Sequence, residues 1–205
     1  MSQVGSKIVL ATRNAQKLIE LRRILERGHV RVDVGDLADY PGMPEVAETG
    51  RTFTDNALLK ARAVAAFTGL PAVADDSGLC VDALNGMPGV LSARWSGRHG
   101  DDDANLRLVL GQLSDIPASR RGAQFVCAAA LVLPSGREHV TEGVLDGWLT
   151  SEPRGSNGFG YDPIFVPSGG QLTTAQLSPA EKDKISHRGK ALRALAPVIG
   201  AVVGS

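Results

Sequence analysis

The order of apolar and polar residues predicts that strands and helices alternate in the first third of the chain. A short β-branched run at residues 7–12 predicts a strand, and the leucines that follow it recur at helical spacing. Three valines within residues 30–34 alternate with polar residues, which predicts a second strand with one polar face. After a loop rich in proline and glycine, a second helix is expected to begin at Thr52 or Thr54 and to end at Gly69.

The remainder of the chain predicts paired strands and three further helix starts, one of them a capping box at residues 178–181 with Pro at the first helical position. An apolar strand at residues 71–74 is followed by a polar cluster that is expected to end it. Apolar runs at residues 125–133 and 138–149 flank a Pro-Ser-Gly turn, which is a hairpin signal. Apolar residues recur at helical spacing in residues 106–113 and again from about Ser186. These elements predict an α/β fold with a mixed central sheet.

Composition and charge indicate a globular protein without a general attraction for polyanions. The 205 residues are 43% hydrophobic and 21% charged, and no repeat or long linker divides them, so we predict one domain over residues 1–205. Lys plus Arg and Asp plus Glu both number 22, which gives no reason to expect a nucleic-acid duplex or an anionic membrane as a partner. Apolar runs are too short for a membrane span or a signal-peptide core. Cys80 and Cys127 lie in apolar contexts, which predicts two core thiols and a cytoplasmic location.

Two segments in the first half of the chain suit phosphate and metal chemistry. Residues 12–17 stand at a strand-to-helix junction, where backbone N–H groups and the helix dipole favour an anion. Alternatively, Asn14 is only a helix N-cap and Lys17 a solvated charge. Asp75 and Asp76 follow an apolar strand, and because neighbouring strand residues point to opposite faces, only one of them easily faces a given cleft. A carboxylate there suits Mg²⁺, whereas an Asx-turn is the structural alternative.

Two segments in the second half suit a nucleoside. Residues 158–163 combine glycines, which let the backbone approach a ligand, with aromatic rings that offer stacking faces. A plain turn with a core Phe explains them as well. Lys182, His187 and Arg188 put positive charge at the start of the last helix, which a nearby anion or polar ligand would explain, although a solvated basic helix start is the alternative. The four segments jointly describe a pocket for a nucleoside triphosphate.

At these residues the sequence resembles the inosine triphosphate pyrophosphatase family, the dITP/XTP pyrophosphatases. The matching segments follow the family order over nearly the whole chain: Thr12 to Lys17, Glu48 to Ala61, Ala74 to Leu79, Pro88 to Arg94, Gly158 to Phe165 and Ser186 to Gly189. The resemblance implies an elongated mixed α/β fold with two lobes around a central nucleotide-binding cleft, acting as a homodimer. It also implies Mg²⁺-dependent hydrolysis of dITP, ITP and XTP to the monophosphate and pyrophosphate, which keeps deaminated purines out of DNA and RNA.

The resemblance further implies a role for each site residue. Asp76 would be the general base and, with Glu48, a ligand of Mg²⁺, while the part of Glu45 is left open. Residues 12–17 would hold the triphosphate, and residues 159–162 would line the base and sugar site. The residues implied to bind substrate are Thr12, Arg13, Asn14, Ala15, Gln16, Lys17, Ser77, Phe159, Gly160, Tyr161, Asp162, Lys182, His187 and Arg188.

Alternatives from other functional classes are a nucleotide-sensing module without turnover and a structural or interaction protein. Glu48 and Asp76 argue against both, because an anion binder has little use for extra negative charge unless a cation accompanies it. Within enzymes, the alternative is a related pyrophosphatase that acts on pyrimidine or modified nucleotides. Hypoxanthine and xanthine present a 6-oxo acceptor where adenine presents an amino donor, so we expect His187 and Arg188 to favour oxo-purines.

Overall fold

The strands form one mixed sheet within residues 7–203, the part of the chain that this computed structural model describes. They are β1 (Lys7–Leu10), β2 (Asp33–Asp36), β3 (Ala72–Val81), β4 (Gly122–Val132), β5 (Glu138–Leu149) and β6 (Phe165–Pro167). The sheet order is β2-β1-β3-β4-β5-β6. β1 pairs in parallel with both β2 and β3, whereas β5 and β6 are antiparallel. The predicted α/β fold with a mixed sheet is confirmed.

The α-helices of the described residues are α1 (Ala15–Arg27), α2 (Phe53–Thr68), α3 (Asp102–Gln112), α4 (Pro179–Ile185) and α5 (His187–Val203). The predicted limits of α2 are confirmed: Thr52 caps it in a capping box with Asp55, and Gly69 ends it at a φ of 68°, which favours glycine. Within the described part of the chain, no helix combines the length and the apolar character that crossing a membrane requires.

The described residues divide into two compact units, each with its own core. The first unit contains residues 7–76, 127–143 and 188–203, and the second contains residues 77–126 and 144–187. The single domain over residues 1–205 stays a prediction, and residues 1–6 and 204–205 of it lie outside the described part.

The core of the first unit covers both faces of the sheet because side chains alternate along β1. Ile8 and Leu10 are fully buried with the apolar sides of α1 and α5, whereas Val9 is fully buried in a second cluster with α2. In the second unit, α3 packs on residues of β3 to β6. Cys127 lies in the first core as predicted, but Cys80 is only half-buried, because it alternates along β3 with the buried Leu79 and Val81.

Two strands differ from the sequence prediction. β2 lies at Asp33–Asp36, not at the valines of residues 30–34, because the first residues after α1 still belong to its cap: His29 has a φ of 56° and the N–H of Val30 donates to the carbonyl of Leu25 at 2.9 Å. β3 does not end at its polar cluster but continues to Val81. It continues because the polar side chains in its middle find buried partners.

Candidate active site

Residues 12–17 join β1 to α1 and fold as a helix cap. The side-chain oxygen of Asn14 accepts the backbone N–H groups of Gln16 at 2.9 Å and of Lys17 at 3.4 Å. The hydroxyl of Thr12 accepts the N–H of Asn14 at 3.1 Å. The N-cap interpretation is therefore confirmed for Asn14. Most of the segment remains exposed to solvent, so its helix end is open to an anion.

The other predicted side chains of this segment point to different surroundings. Arg13 donates to the backbone carbonyl of Met43 at 3.1 Å, which ties the start of α1 to the loop before α2. Ala15 and Gln16 begin α1 and are exposed. Lys17 alone of these residues reaches another predicted functional segment.

Asp75 gathers two cationic side chains in the first unit. The ammonium of Lys17 lies 2.7 Å from Asp75 Oδ2, and Arg188 donates through Nη2 to Oδ1 at 3.3 Å. Arg188 also forms an ion pair with Glu20 of α1. Burial raises the pKa of Asp75, but the charges and hydrogen bonds of Lys17 and Arg188 outweigh it and hold the pKa below its usual value. Asp75 is therefore a buried anion that positions both cations.

Asp76 and Glu48 share one ammonium group, that of Lys60 on α2. Lys60 Nζ lies 2.6 Å from Glu48 Oε1 and 3.5 Å from Asp76 Oδ1. Burial raises the pKa of Asp76, and the charge of Lys60 offsets only part of this. Burial lowers the pKa of Lys60, but the charges of Asp76 and Glu48 outweigh it and raise that pKa above its usual value. The two predicted metal ligands thus lie close enough together to attract one cation.

The donor set of Glu48 and Asp76 fits Mg²⁺. Among residues 7–203, no group of three or more His, Cys, Asp and Glu side chains is arranged to hold a metal ion. Mg²⁺ in nucleotide enzymes usually takes one or two carboxylates together with substrate phosphates and water, so two carboxylate side chains are sufficient.

The two neighbouring carboxylates face opposite sides of the sheet, as the strand geometry predicts. Asp75 meets residues of α1 and α5, whereas Asp76 meets Asn56 and Lys60 of α2. Asn56 and Lys60 are not among the site residues predicted from the sequence. Their spacing of four residues on a helix, which puts both on one face, is the signal that could have found them.

The second unit holds the predicted nucleoside-binding residues around Asp162. This carboxylate is 3% exposed, and it accepts the N–H of Phe159 at 2.8 Å and the hydroxyl of Thr174 at 2.8 Å. It also pairs with the ammonium of Lys182, which lies 5.2 Å from the ring centroid of Phe159. The core-Phe alternative is wrong, because Phe159 is 77% exposed. Its ring offers a free face for stacking.

The remaining predicted residues of the second unit are more enclosed. Tyr161 is buried, and its hydroxyl donates to the carbonyl of Ser92 at 2.9 Å, so its ring offers no exposed stacking face. The N–H of Gly160 donates to Asp102 at 2.8 Å. The ring of His187 stacks on Phe125 with centroids 4.9 Å apart. Ser77 lies half-buried on β3, directly after Asp76.

Comparisons with known proteins agree on one family. The model of the Ham1 family matches residues 8–198. A protein of Streptomyces avermitilis named dITP/XTP pyrophosphatase is 59% identical over 199 residues, which cover 97% of this chain and 100% of the relative.

Solved structures give the same result. The crystal structure of a nucleoside-triphosphatase / dITP/XTP pyrophosphatase from Mycobacterium abscessus has a TM-score of 0.81 at 61% identity, covering 94% of this chain and 99% of its own. The structure of a HAM1 protein from Coxiella burnetii has a TM-score of 0.89 at 42% identity, covering 96% of this chain and 100% of its own.

Proposed function

This chain belongs to the Ham1 family, and from that membership we propose that it hydrolyses dITP, ITP and XTP to the nucleoside monophosphate and pyrophosphate. The observation that carries the proposal is 59% identity, over 97% of the chain, to a relative named dITP/XTP pyrophosphatase. Family membership also confirms the resemblance found from the sequence motifs. The reaction removes deaminated purines from the nucleotide pool before a polymerase can use them.

The proposed general base is Asp76. Water attacks the α-phosphorus, the bond from that phosphorus to the bridging oxygen breaks, pyrophosphate leaves, and the proton of the water passes to the carboxylate. Burial raises the pKa of Asp76, which makes its carboxylate a stronger base than that of an exposed Asp. The ammonium of Lys60, 3.5 Å from Asp76 Oδ1, favours the ionised form that accepts the proton.

We propose Mg²⁺ as the divalent cation, with Glu48 and Asp76 as the side chains that would hold it. When bound, Mg²⁺ neutralises charge on the phosphate oxygens as a Lewis acid. Residues 12–17 bind the triphosphate in this proposal, and Lys17 supplies an ammonium to the phosphate oxygens, where negative charge develops during attack. Its partner Asp75 keeps Arg188 as a second counter-ion, so Lys17 can turn to a phosphate without leaving a buried carboxylate unpaired.

In the proposed binding site for the purine, the exposed ring of Phe159 stacks on the nucleobase. We assign Lys182, whose ammonium lies 5.2 Å from the ring centroid of Phe159, and His187 to the base and sugar. Because a 6-oxo group accepts a hydrogen bond that the 6-amino group of adenine cannot accept, donors at this site favour hypoxanthine and xanthine. The implied homodimer and the cytoplasmic location stay predictions.

A pyrophosphate-release panel with dITP, XTP, dGTP, ATP and dUTP, each with and without Mg²⁺, tests this function. We expect turnover of dITP and XTP that depends on Mg²⁺ and far less turnover of ATP and dUTP, neither of which carries a 6-oxo purine, while the dGTP rate measures the effect of the 2-amino group of guanine. Asp76→Asn, which removes the charge but little volume, should abolish turnover while the melting temperature stays close to that of the wild type. Preferred hydrolysis of dUTP would favour the pyrimidine alternative, and a near wild-type rate in Asp76→Asn would exclude Asp76 as the base.

A further inference from the structure

Asn56 on α2 is fully buried, and both the nitrogen and the oxygen of its side-chain amide form hydrogen bonds. Its Nδ2 donates to Asp76 Oδ2 at 2.9 Å, and its Oδ1 accepts the backbone N–H of Gly50 at 2.7 Å. One rigid side chain thus joins the proposed base to the loop that carries Glu48. Both hydrogen bonds are partly buried and the amide itself is fully buried, so the loss of either partner would leave a buried polar atom unsatisfied, which is unfavourable.

The loop before α2 lies in close contact with the start of that helix. A Cβ atom on Gly50 would come within 2.5 Å of Asp55 Cβ and 2.7 Å of Asn56 Oδ1, so only a glycine lets the backbone lie this close to the helix. Asp55 accepts the N–H groups of the two residues that follow Gly50, at 3.1 and 3.0 Å. Glu48 is two residues before this anchored point, so its position depends on the contact with Asn56.

The two oxygens of Asp76 have different partners from the same face of α2. Oδ2 takes the neutral amide donor of Asn56, and Oδ1 lies 3.5 Å from the ammonium of Lys60 one turn further along. The amide of Asn56 therefore fixes the rotation of the Asp76 carboxylate without adding charge. Oδ1 stays on the side of the Lys60 ammonium.

We propose that Asn56 is a positioning residue that aligns Asp76 with the Glu48 loop for metal binding and catalysis. This inference rests on the function proposed above. An amide suits the task because it donates at one end and accepts at the other, whereas a carboxylate cannot donate and a serine hydroxyl is too short to span both contacts. Partners that orient metal ligands commonly change metal affinity or activity by about 10- to 100-fold when they are removed.

Asn56→Ala tests the proposal, with Asn105→Ala as its matched control. Asn105 is also a buried helical amide whose Oδ1 accepts a backbone N–H, that of Ser96 at 2.7 Å, but its Nδ2 has no hydrogen-bond partner among the described residues. Mg²⁺ is titrated calorimetrically into each protein without nucleotide, and kcat and KM for dITP are measured at saturating Mg²⁺. We expect Asn56→Ala to weaken Mg²⁺ binding and to lower kcat by at least about tenfold each, with KM within about threefold of the wild type.

The control separates positioning from packing. Asn105→Ala is expected to lower the melting temperature but to keep Mg²⁺ affinity and kcat within about twofold of the wild type. If Asn56→Ala lowered only the melting temperature, as the control does, the proposal would be overturned. The metal titration needs no nucleotide, so it tests Asn56 even if the wild type fails to hydrolyse dITP, which would overturn the proposed function instead.

A second pair of variants covers the case in which Asn56→Ala does not fold. Asn56→Ser keeps an uncharged polar group that cannot span both contacts, and Asn105→Ser is its matched control. Neither substitution adds charge, so Mg²⁺ affinity and kcat are both compared. A fall in both of at least about tenfold in Asn56→Ser, absent from Asn105→Ser, supports the positioning role, and equal values in the two variants overturn it.

Discussion

At the scale of single residues, the charge of Asp75 links pH to the stability of the first unit. Its pKa lies below the ordinary 3.8 because Lys17 and Arg188 outweigh the effect of burial. A carboxyl group with a lowered pKa contributes stability that is complete above its unfolded pKa and is lost as the pH falls toward its folded pKa. The stability that depends on Asp75 is therefore fully present at neutral pH and declines below about pH 4.

Asp75→Asn removes this charge and leaves the buried Arg188 and the partly exposed Lys17 with less charge compensation. We expect the free energy of unfolding to fall by about 3 to 5 kcal/mol at pH 7, because one partner of a buried ion pair is lost. The difference from the wild type should shrink as the pH falls below about 4. Urea unfolding at pH 7, 5 and 3 measures it, and a difference that stays constant with pH would contradict the electrostatic explanation.

The contacts of Arg188 change what its removal is expected to do. The sequence alone predicts that Arg188 pairs with the 6-oxo group, so that its loss narrows the preference for dITP over dATP. In the structure its side chain is buried against Asp75 and Glu20. We therefore expect Arg188→Ala to lower kcat/KM for dITP and dATP by similar factors. The test is to measure kcat/KM for dITP and for dATP in the wild type and in Arg188→Ala. A smaller ratio of the dITP value to the dATP value in the variant would show that Arg188 recognises the nucleobase.

At the scale of elements, local signals predicted helix ends well and strand ends poorly. Thr52 and Gly69 set the limits of α2 through contacts within a few residues, which a sequence shows directly. β3 runs through Asp75 because this carboxylate is paired with Lys17 and Arg188. These partners lie 58 and 113 residues away in the sequence, so no local signal shows them. A polar pair in a strand is indistinguishable from a turn until its distant partners are known.

The same limit applies to the site. Lys17, Glu48 and Asp76 are charged residues within recognisable motifs, so the sequence alone was enough to propose them as site residues. The arrangement of Asn56 and Lys60 around Asp76 could not, because it depends on how α2 packs beside β3. Likewise, two aromatic residues in one loop gave no sign that Phe159 would be exposed and Tyr161 buried.

At the scale of the whole molecule, ligand-dependent stability separates the three functional classes. A ligand that binds only the folded state at 100 times its Kd adds about 2.7 kcal/mol, which for a chain of this size corresponds to a rise in melting temperature of about 5 to 10 °C. We expect this rise with Mg²⁺ and an α,β-imido analogue of dITP, which resists cleavage at the bond that the proposed reaction breaks. The matching adenine analogue at the same concentration should give a much smaller rise, because it lacks the 6-oxo acceptor. No rise with either analogue would favour a structural or interaction protein. A rise with the dITP analogue but no pyrophosphate release from dITP itself would identify a nucleotide-sensing module.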